Sequence, residues 1–282
     1  MVAGSNPAGC TIVLFMTKHS RLAHQLSGRE LVEFIKVRQL HQVRGLKQHF
    51  ESPPRLAIIQ TVDNKIVDVY TGLKCDYAAD IEVDASIYQV PMAEVLPLVD
   101  QLNADDTVKG IVVQLPLADP SMIDQVVERI KPSKDVDGLG SKAKWDAPAA
   151  VAVNWLLAGY NVNLAGKLAI IGTDRLVARP LARLWHSSGL AVTTYDSISQ
   201  AIPQLGDYDV IVVAENGKLA AHSLKTGATI IDAAVATIGG SINEIIGKSI
   251  LERSDLNVAL ARGGVGPLII AALMDNVIRA SY

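Results

Sequence analysis

The sequence predicts an α/β protein of two domains, an N-terminal α/β catalytic domain and a Rossmann-like dinucleotide-binding domain, with a cleft between them. Short β-branched apolar runs alternate with longer helical patterns, the rhythm of parallel sheets covered on both faces. That rhythm breaks at "KPSKDVDGLGSKAKWDAP", a stretch of Pro, Lys, Asp and Gly suited to a hinge. Beyond it, the apolar run "KLAIIG" ends in Gly172 and leads into a helical pattern, which is how a dinucleotide-binding unit opens.

The elements follow in order. Ser27-x-x-Glu30 has the form of a capping box and opens a helix over "RELVEFIKVRQLHQVRGLKQHF". "RLAIIQTV" reads as a buried strand, followed by a helical segment carrying Tyr70 and Lys74. "SIYQV" is a strand, "AEVLPLVDQLN" a helix, "VKGIVVQ" a strand and "SMIDQVVERI" a helix. After the hinge come the helix "AAVAVNWLLAGY" and a second alternation: "KLAIIG", "LVARPLARLWHSSG", "LAVTTYD", "YDVIVVA" and "ATIIDAA". A glycine-rich turn and an apolar helix, "GGVGPLIIAALMDNVIRASY", close the chain. The expected domains are 17–140 with the returning segment 267–282, and 141–266. "GSNPAG" resembles a translated tRNA 3′ end, so residues 1–16 are expected to be a tail without function, with natural translation starting at Met16.

Composition narrows the function classes. A net charge of −3 supplies no basic field for nucleic acid and no polybasic membrane patch. The run "TIVLFM" is too short for a signal sequence, and no window reaches the ~18 uncharged apolar residues of a membrane span. Cys10 and Cys75 have no metal-ligand spacing and no disulfide density, which points to a reducing, cytoplasmic setting.

Four polar positions stand out. Tyr70 and Lys74, at i and i+4, share one helix face; an exposed edge is the plainer reading of such a pair. Gln114 closes a strand in "GIVVQLPL", at the end where open α/β sheets gather ligands, or it simply caps a loop. Asp135 and Asp137 alternate in "KDVDGLG", without a third ligand that would make a metal site.

Taken in order, Y-x-x-x-K, VQLPL, KDVDG, LAGKLAIIG and GGVGP resemble the bifunctional methylenetetrahydrofolate dehydrogenase/methenyltetrahydrofolate cyclohydrolases. The likeness runs from about residue 25 to the C-terminus. It implies oxidation of 5,10-methylenetetrahydrofolate with NAD(P)+ and hydrolysis of the methenyl product to 10-formyltetrahydrofolate, without a metal. By that resemblance Lys74 is the central catalytic group and Tyr70 stacks on the folate. Gln114 hydrogen-bonds and tunes Lys74, and Asp137 binds the pterin. Leu115, Pro116, Gly264 and Pro267 line the substrate site. Gly172, Thr173, Asp174, Arg175, Val177, Arg179, Pro180, Asp196, Ser197 and Gly263 bind the cofactor. A homodimer formed through the nucleotide domain is implied as well.

The cofactor half departs from the family pattern. Where G-R-S-x-x-V-G-x-P is usual, this chain has "GTDRLVARP", so Thr173 replaces Arg, Asp174 replaces Ser and Ala178 replaces Gly. After the second strand, "YDS" stands where His-Ser is common, and Asp196 lies 24 positions after Gly172. An acidic residue about 20 residues on can accept the ribose hydroxyls of NAD, and a carboxylate there repels a 2′-phosphate. NAD is therefore favoured over NADP, with Arg175 and Arg179 as the groups that would rescue a phosphate site. Asp174 also suits a plain helix N-cap. Further changes are Arg262 for Pro, Leu268-Ile269 for Met-Thr, Val67 for Ser, and "DAP" for "CTP". Two other readings stand beside the bifunctional one: a cyclohydrolase with weak or lost dehydrogenase activity, and a non-catalytic folate-binding relative.

Overall fold

The computed structural model describes residues 22–50, 52–234, 245–260 and 262–282. The expected tail 1–16 and the Met16 start lie outside the described residues. In chain order the first elements are β1 (His24–Gln25), α1 (Gly28–Phe50), β2 (Arg55–Gln60), α2 (Lys65–Asp80), β3 (Asp84–Gln89), α3 (Met92–Ala104), β4 (Val108–Val113) and α4 (Ile123–Arg129). They continue with α5 (Pro148–Gly159), β5 (Leu168–Ile171), α6 (Ala178–Ser187), β6 (Val192–Tyr195), α7 (Ile198–Ala201), β7 (Val210–Val213), β8 (Thr229–Asp232), α8 (Lys248–Leu251), β9 (Asn257–Ala259) and α9 (Val265–Arg279).

The strands form two parallel sheets, ordered β3-β2-β4 and β1-β9-β8-β7-β5-β6. The central strands are buried along their whole length because both faces are covered; β5 and β7 are wholly apolar, and β8 has Thr229 and Asp232 at its ends. In each sheet the first strand of the α/β run lies between the next two. β2 has β3 on one side and β4 on the other; β5 has β6 and β7. Chain direction across the sheet reverses there, and a crevice opens at the carboxyl ends of β2/β4 and of β5/β7.

Helices α5 and α9 pack together between the sheets, and α9 also lies on α1 and α2. The capping box is half formed. Ser27 Oγ accepts from the Glu30 N–H at 3.4 Å, but the Ser27 N–H goes to the Tyr160 hydroxyl at 2.8 Å. Tyr160 sits just past α5, so a tertiary contact takes the place of the local one. Strand β1 was not expected from the sequence; it pairs with β9 and brings the chain start into the larger sheet. Among the described residues no helix is long and apolar enough to cross a membrane.

Candidate active site

The two helix-face residues lie on α2, which Asn64 caps by accepting the Ile66 N–H at 2.8 Å. One turn beyond Lys74, the buried Tyr77 hydroxyl donates to Gln39 Oε1 at 2.8 Å, and Gln39 Nε2 donates to the Ala271 carbonyl at 2.8 Å. This buried relay fixes α2 against α1 and α9, and so fixes where Lys74 points. Tyr70 lies one turn earlier on the Lys74 face and is half-buried.

Gln114 follows β4 directly, its N–H still on the Ile59 carbonyl at 2.8 Å, so it sits at the crevice between β2 and β4. Its side chain is used at both ends. Oε1 accepts from Lys74 Nζ at 2.6 Å, and Nε2 donates to the Leu115 carbonyl at 2.9 Å. A cis peptide joins Leu115, in the core, to the half-exposed Pro116.

The "KDVDG" segment separates its two carboxylates. Asp135 is buried and accepts the N–H groups of Gly138, Leu139 and Gly140 at 3.0, 3.4 and 2.8 Å, which shapes the turn. Burial pushes its carboxyl up to about 6, against those three donors. Asp137 is the one that faces Lys74. Burial raises the Asp137 carboxyl and lowers the Lys74 ammonium, while the attraction between the two charges opposes both shifts. The sequence reading missed Asn276. This buried amide on α9 donates to the Val136 and Asp146 carbonyls, both at 2.9 Å, and pins the segment on both sides of Asp137. A lone Asn in the apolar run "LIIAALMDNVIRA" is the only signal it offered.

The second crevice holds the glycine loop. Gly172 follows β5 with φ +127, and a Cβ there would meet the Ala214 backbone at 3.1 Å. Its N–H bonds to the Tyr195 carbonyl at 2.9 Å, which sets Gly172 beside Asp196 and Ser197 at the end of β6. Asp196 is exposed, Ser197 half-buried, Thr173 and Arg179 exposed, Val177 buried and Pro180 half-buried. The Asp174 carboxylate folds back on its own loop, with Oδ1 accepting from Leu176 and Val177 at 2.9 and 2.7 Å and Oδ2 from Ala178 at 3.1 Å. Arg175 reaches across the cleft instead, its guanidinium donating to Asp124 on α4 at 2.6 Å. Leu176 and Leu139 both pack against the core that includes Leu115, so the glycine loop, the Gln114 segment and the Asp137 segment share one apolar cluster. Glu215, at the end of β7, was also missed; its carboxylate accepts the Ile198 N–H beside Ser197.

The last motif closes the other side. Gly263 has φ +82, and Gly264 caps α9 at a point where a Cβ would meet the Leu260 carbonyl at 2.3 Å. Pro267 lies in the first turn of α9. The N–H groups of Gly28 and Arg29, at the start of α1, both point to the Gly263 carbonyl at 2.9 and 3.3 Å.

The family model described as tetrahydrofolate dehydrogenase/cyclohydrolase, catalytic domain, matches residues 26–137, and that of the same family's NAD(P)-binding domain matches residues 147–282. The chain belongs to the tetrahydrofolate dehydrogenase/cyclohydrolase family. Similar relatives include the bifunctional protein FolD of Lactobacillus delbrueckii subsp. bulgaricus, 31% identical across 90% of this chain and 95% of the relative. That of Rickettsia bellii is 32% identical across 90% and 97%. The solved bifunctional FolD of Campylobacter jejuni superposes with a TM-score of 0.82 at 27% identity, covering 92% of this chain and 98% of that one. A 5,10-methylenetetrahydrofolate dehydrogenase from the silkworm, Bombyx mori, gives 0.82 at 25% identity over 92% and 98%.

Proposed function

We propose that this family member oxidises 5,10-methylenetetrahydrofolate to the methenyl compound with NAD(P)+ and hydrolyses that to 10-formyltetrahydrofolate. The observation that carries the reading is the Lys74 Nζ to Gln114 Oε1 hydrogen bond of 2.6 Å, at the crevice of the first sheet and beside Asp137. Burial lowers the Lys74 ammonium, so more of the amine is neutral near physiological pH and free to accept a proton from water.

In the hydrolytic step a water adds to the cationic methenyl carbon and Lys74 Nζ takes its proton. The hydroxyl adduct then collapses: the hydroxyl proton moves to the ring nitrogen as its bond to the bridge carbon breaks. The formyl group is left on the other nitrogen, and Lys74 returns its proton to solvent. Gln114 holds Nζ in place throughout. Tyr70 offers a flat face for the aminobenzoyl ring, and Asp137 accepts from the pterin's amide and amine N–H groups. Leu115, Pro116, Gly264 and Pro267 wall the site.

A bound nicotinamide dinucleotide supplies the hydride acceptor. The loop keeps the tight glycine turn of such a domain, with Gly172 at positive φ against the Ala214 backbone, and Asp196 follows β6, at the strand end where an acidic residue accepts ribose hydroxyls. Thr173, Val177, Pro180, Ser197 and Gly263 complete that side, with Arg179 exposed on α6. NAD is favoured over NADP. Asp196 follows β6 and the Glu215 carboxylate accepts the nearby Ile198 N–H, two carboxylates where a 2′-phosphate would need a cation, and Arg175 is engaged by Asp124. The reading includes a cytoplasmic homodimer that uses no metal and feeds formyl groups to purine biosynthesis. A hydrolase with weak dehydrogenase activity is the second reading, favoured by the Asp174 carboxylate on the N–H groups of the glycine loop and of the first residue of α6.

The test follows methenyl absorbance from 5,10-methylenetetrahydrofolate with NAD and NADP in parallel. A faster rate with NAD supports the full reading, and a rate with NADP alone overturns the cofactor assignment. No rate with either, in a protein that hydrolyses added methenyltetrahydrofolate, selects the second reading.

A further inference from the structure

The start of α6 shows an unusual occupant. A helix of ten residues presents its first N–H groups toward the crevice between β5 and β7, where a dinucleotide's pyrophosphate is expected in a domain of this kind. The donors at the entry to α6 are already taken. Asp174 Oδ1 accepts from Leu176 and Val177, which precede the helix, and Oδ2 from Ala178, its first residue. The Arg179 N–H goes to the Asp174 carbonyl, and Pro180 has none to offer. We propose that Asp174 is a self-supplied anion that competes with the pyrophosphate for the N-terminus of α6, and so sets how tightly this chain holds any dinucleotide, with or without a 2′-phosphate.

The inference rests on the functional reading above, and deepens it by moving the discrimination from the ribose to the phosphates. A neutral cap such as Ser or Asn would satisfy the same donors without adding charge. A carboxylate satisfies them and repels a second anion brought to the same N–H groups. Of the two arginines in this stretch, Arg175 does not offset it, because its guanidinium lies on Asp124 across the cleft, and Arg179 is exposed on α6.

The experiment measures dissociation constants by calorimetry on the full chain, with no folate present. Asp174→Asn is expected to bind NAD and NADP alike at least tenfold more tightly than the unaltered protein. Equal affinities would overturn the proposal and leave Asp174 as a helix cap alone. A gain for NADP without one for NAD would also overturn it, since the carboxylate would then be reading the 2′-phosphate. If the variant does not fold, the unaltered chain still decides. Self-occupation predicts that ADP binds no more tightly than adenosine, and a tenfold advantage for ADP would sink it. Because binding is read without turnover, absence of folate chemistry would count against the functional reading and leave this comparison standing.

Discussion

Gln114 offers a test in which two substitutions must act in opposite directions. Its Oε1 accepts from Lys74 Nζ at 2.6 Å. A hydrogen bond to an ammonium is worth ~1.5–3 kcal/mol and one to a neutral amine ~0.5–1.5 kcal/mol. Gln114→Leu removes both, so the charged form loses about 1–1.5 kcal/mol more than the neutral one. At about 1.4 kcal/mol per unit, the Lys74 ammonium then gives up its proton roughly one pH unit lower. Gln114→Glu does the reverse, because a carboxylate at that distance holds the ammonium by ~1–3 units. Hydrolysis needs the neutral amine, so its rate rises with pH through the Lys74 ionisation. That rising limb should move to lower pH in Gln114→Leu and to higher pH in Gln114→Glu. The assay is kcat/KM for loss of methenyl absorbance across the pH range. Limbs that stay in place, or move the same way in both variants, would refute the assignment of Lys74 as the titrating group.

Lys74→Ala should reduce methenyltetrahydrofolate hydrolysis by ~10²–10⁴-fold, and an unchanged rate would remove Lys74 from its role. Asp196→Ser should move the NADP-to-NAD ratio of kcat/KM toward NADP by on the order of tenfold, as one repelling charge is lost; an unmoved ratio means that Asp196 does not face the ribose. Asn276→Ala strips the donor from the buried Val136 carbonyl, worth ~1–3 kcal/mol, and from the part-buried Asp146 carbonyl, where water can substitute, so urea unfolding should report a loss of about 1–3 kcal/mol. Its KM for folate should rise as the Asp137 segment loosens. A variant as stable as the parent would show that the amide is not holding that segment.

Short β-branched runs were legible because they need no partner to be recognised: "LAII", "VIVV" and "TIID", the last apolar only at its centre, become the buried strands β5, β7 and β8. Strands β1 and β9 were not, being two and three residues long and formed only by pairing with each other and with β8. Tyr70, Lys74 and Gln114 could be singled out because each sits at a helix-face or strand-end position that local pattern defines. Which of Asp135 and Asp137 faces the cleft could not be read from their alternation. It depends on the three N–H groups that claim Asp135. Arg175 is the clearest limit. Its sequence neighbours make it a loop cation, while Asp124, 51 residues earlier, takes its guanidinium. Gln39 and Asn276 were hidden for the same reason, since their partners lie 232 and 140 residues away.

The span bridged by Asn276 also bears on how the chain is made. Domains generally fold as units as they emerge, with the N-terminal one first. Here the Asp137 segment has left the ribosome well before α9 exists, and the two carbonyls that Asn276 will satisfy must wait for nearly all of the rest of the chain. The first sheet can assemble early, but its reactive edge is finished by the final helix. A message cut short before residue 265 would therefore yield a product with Lys74 and Gln114 present and the Asp137 segment unmoored.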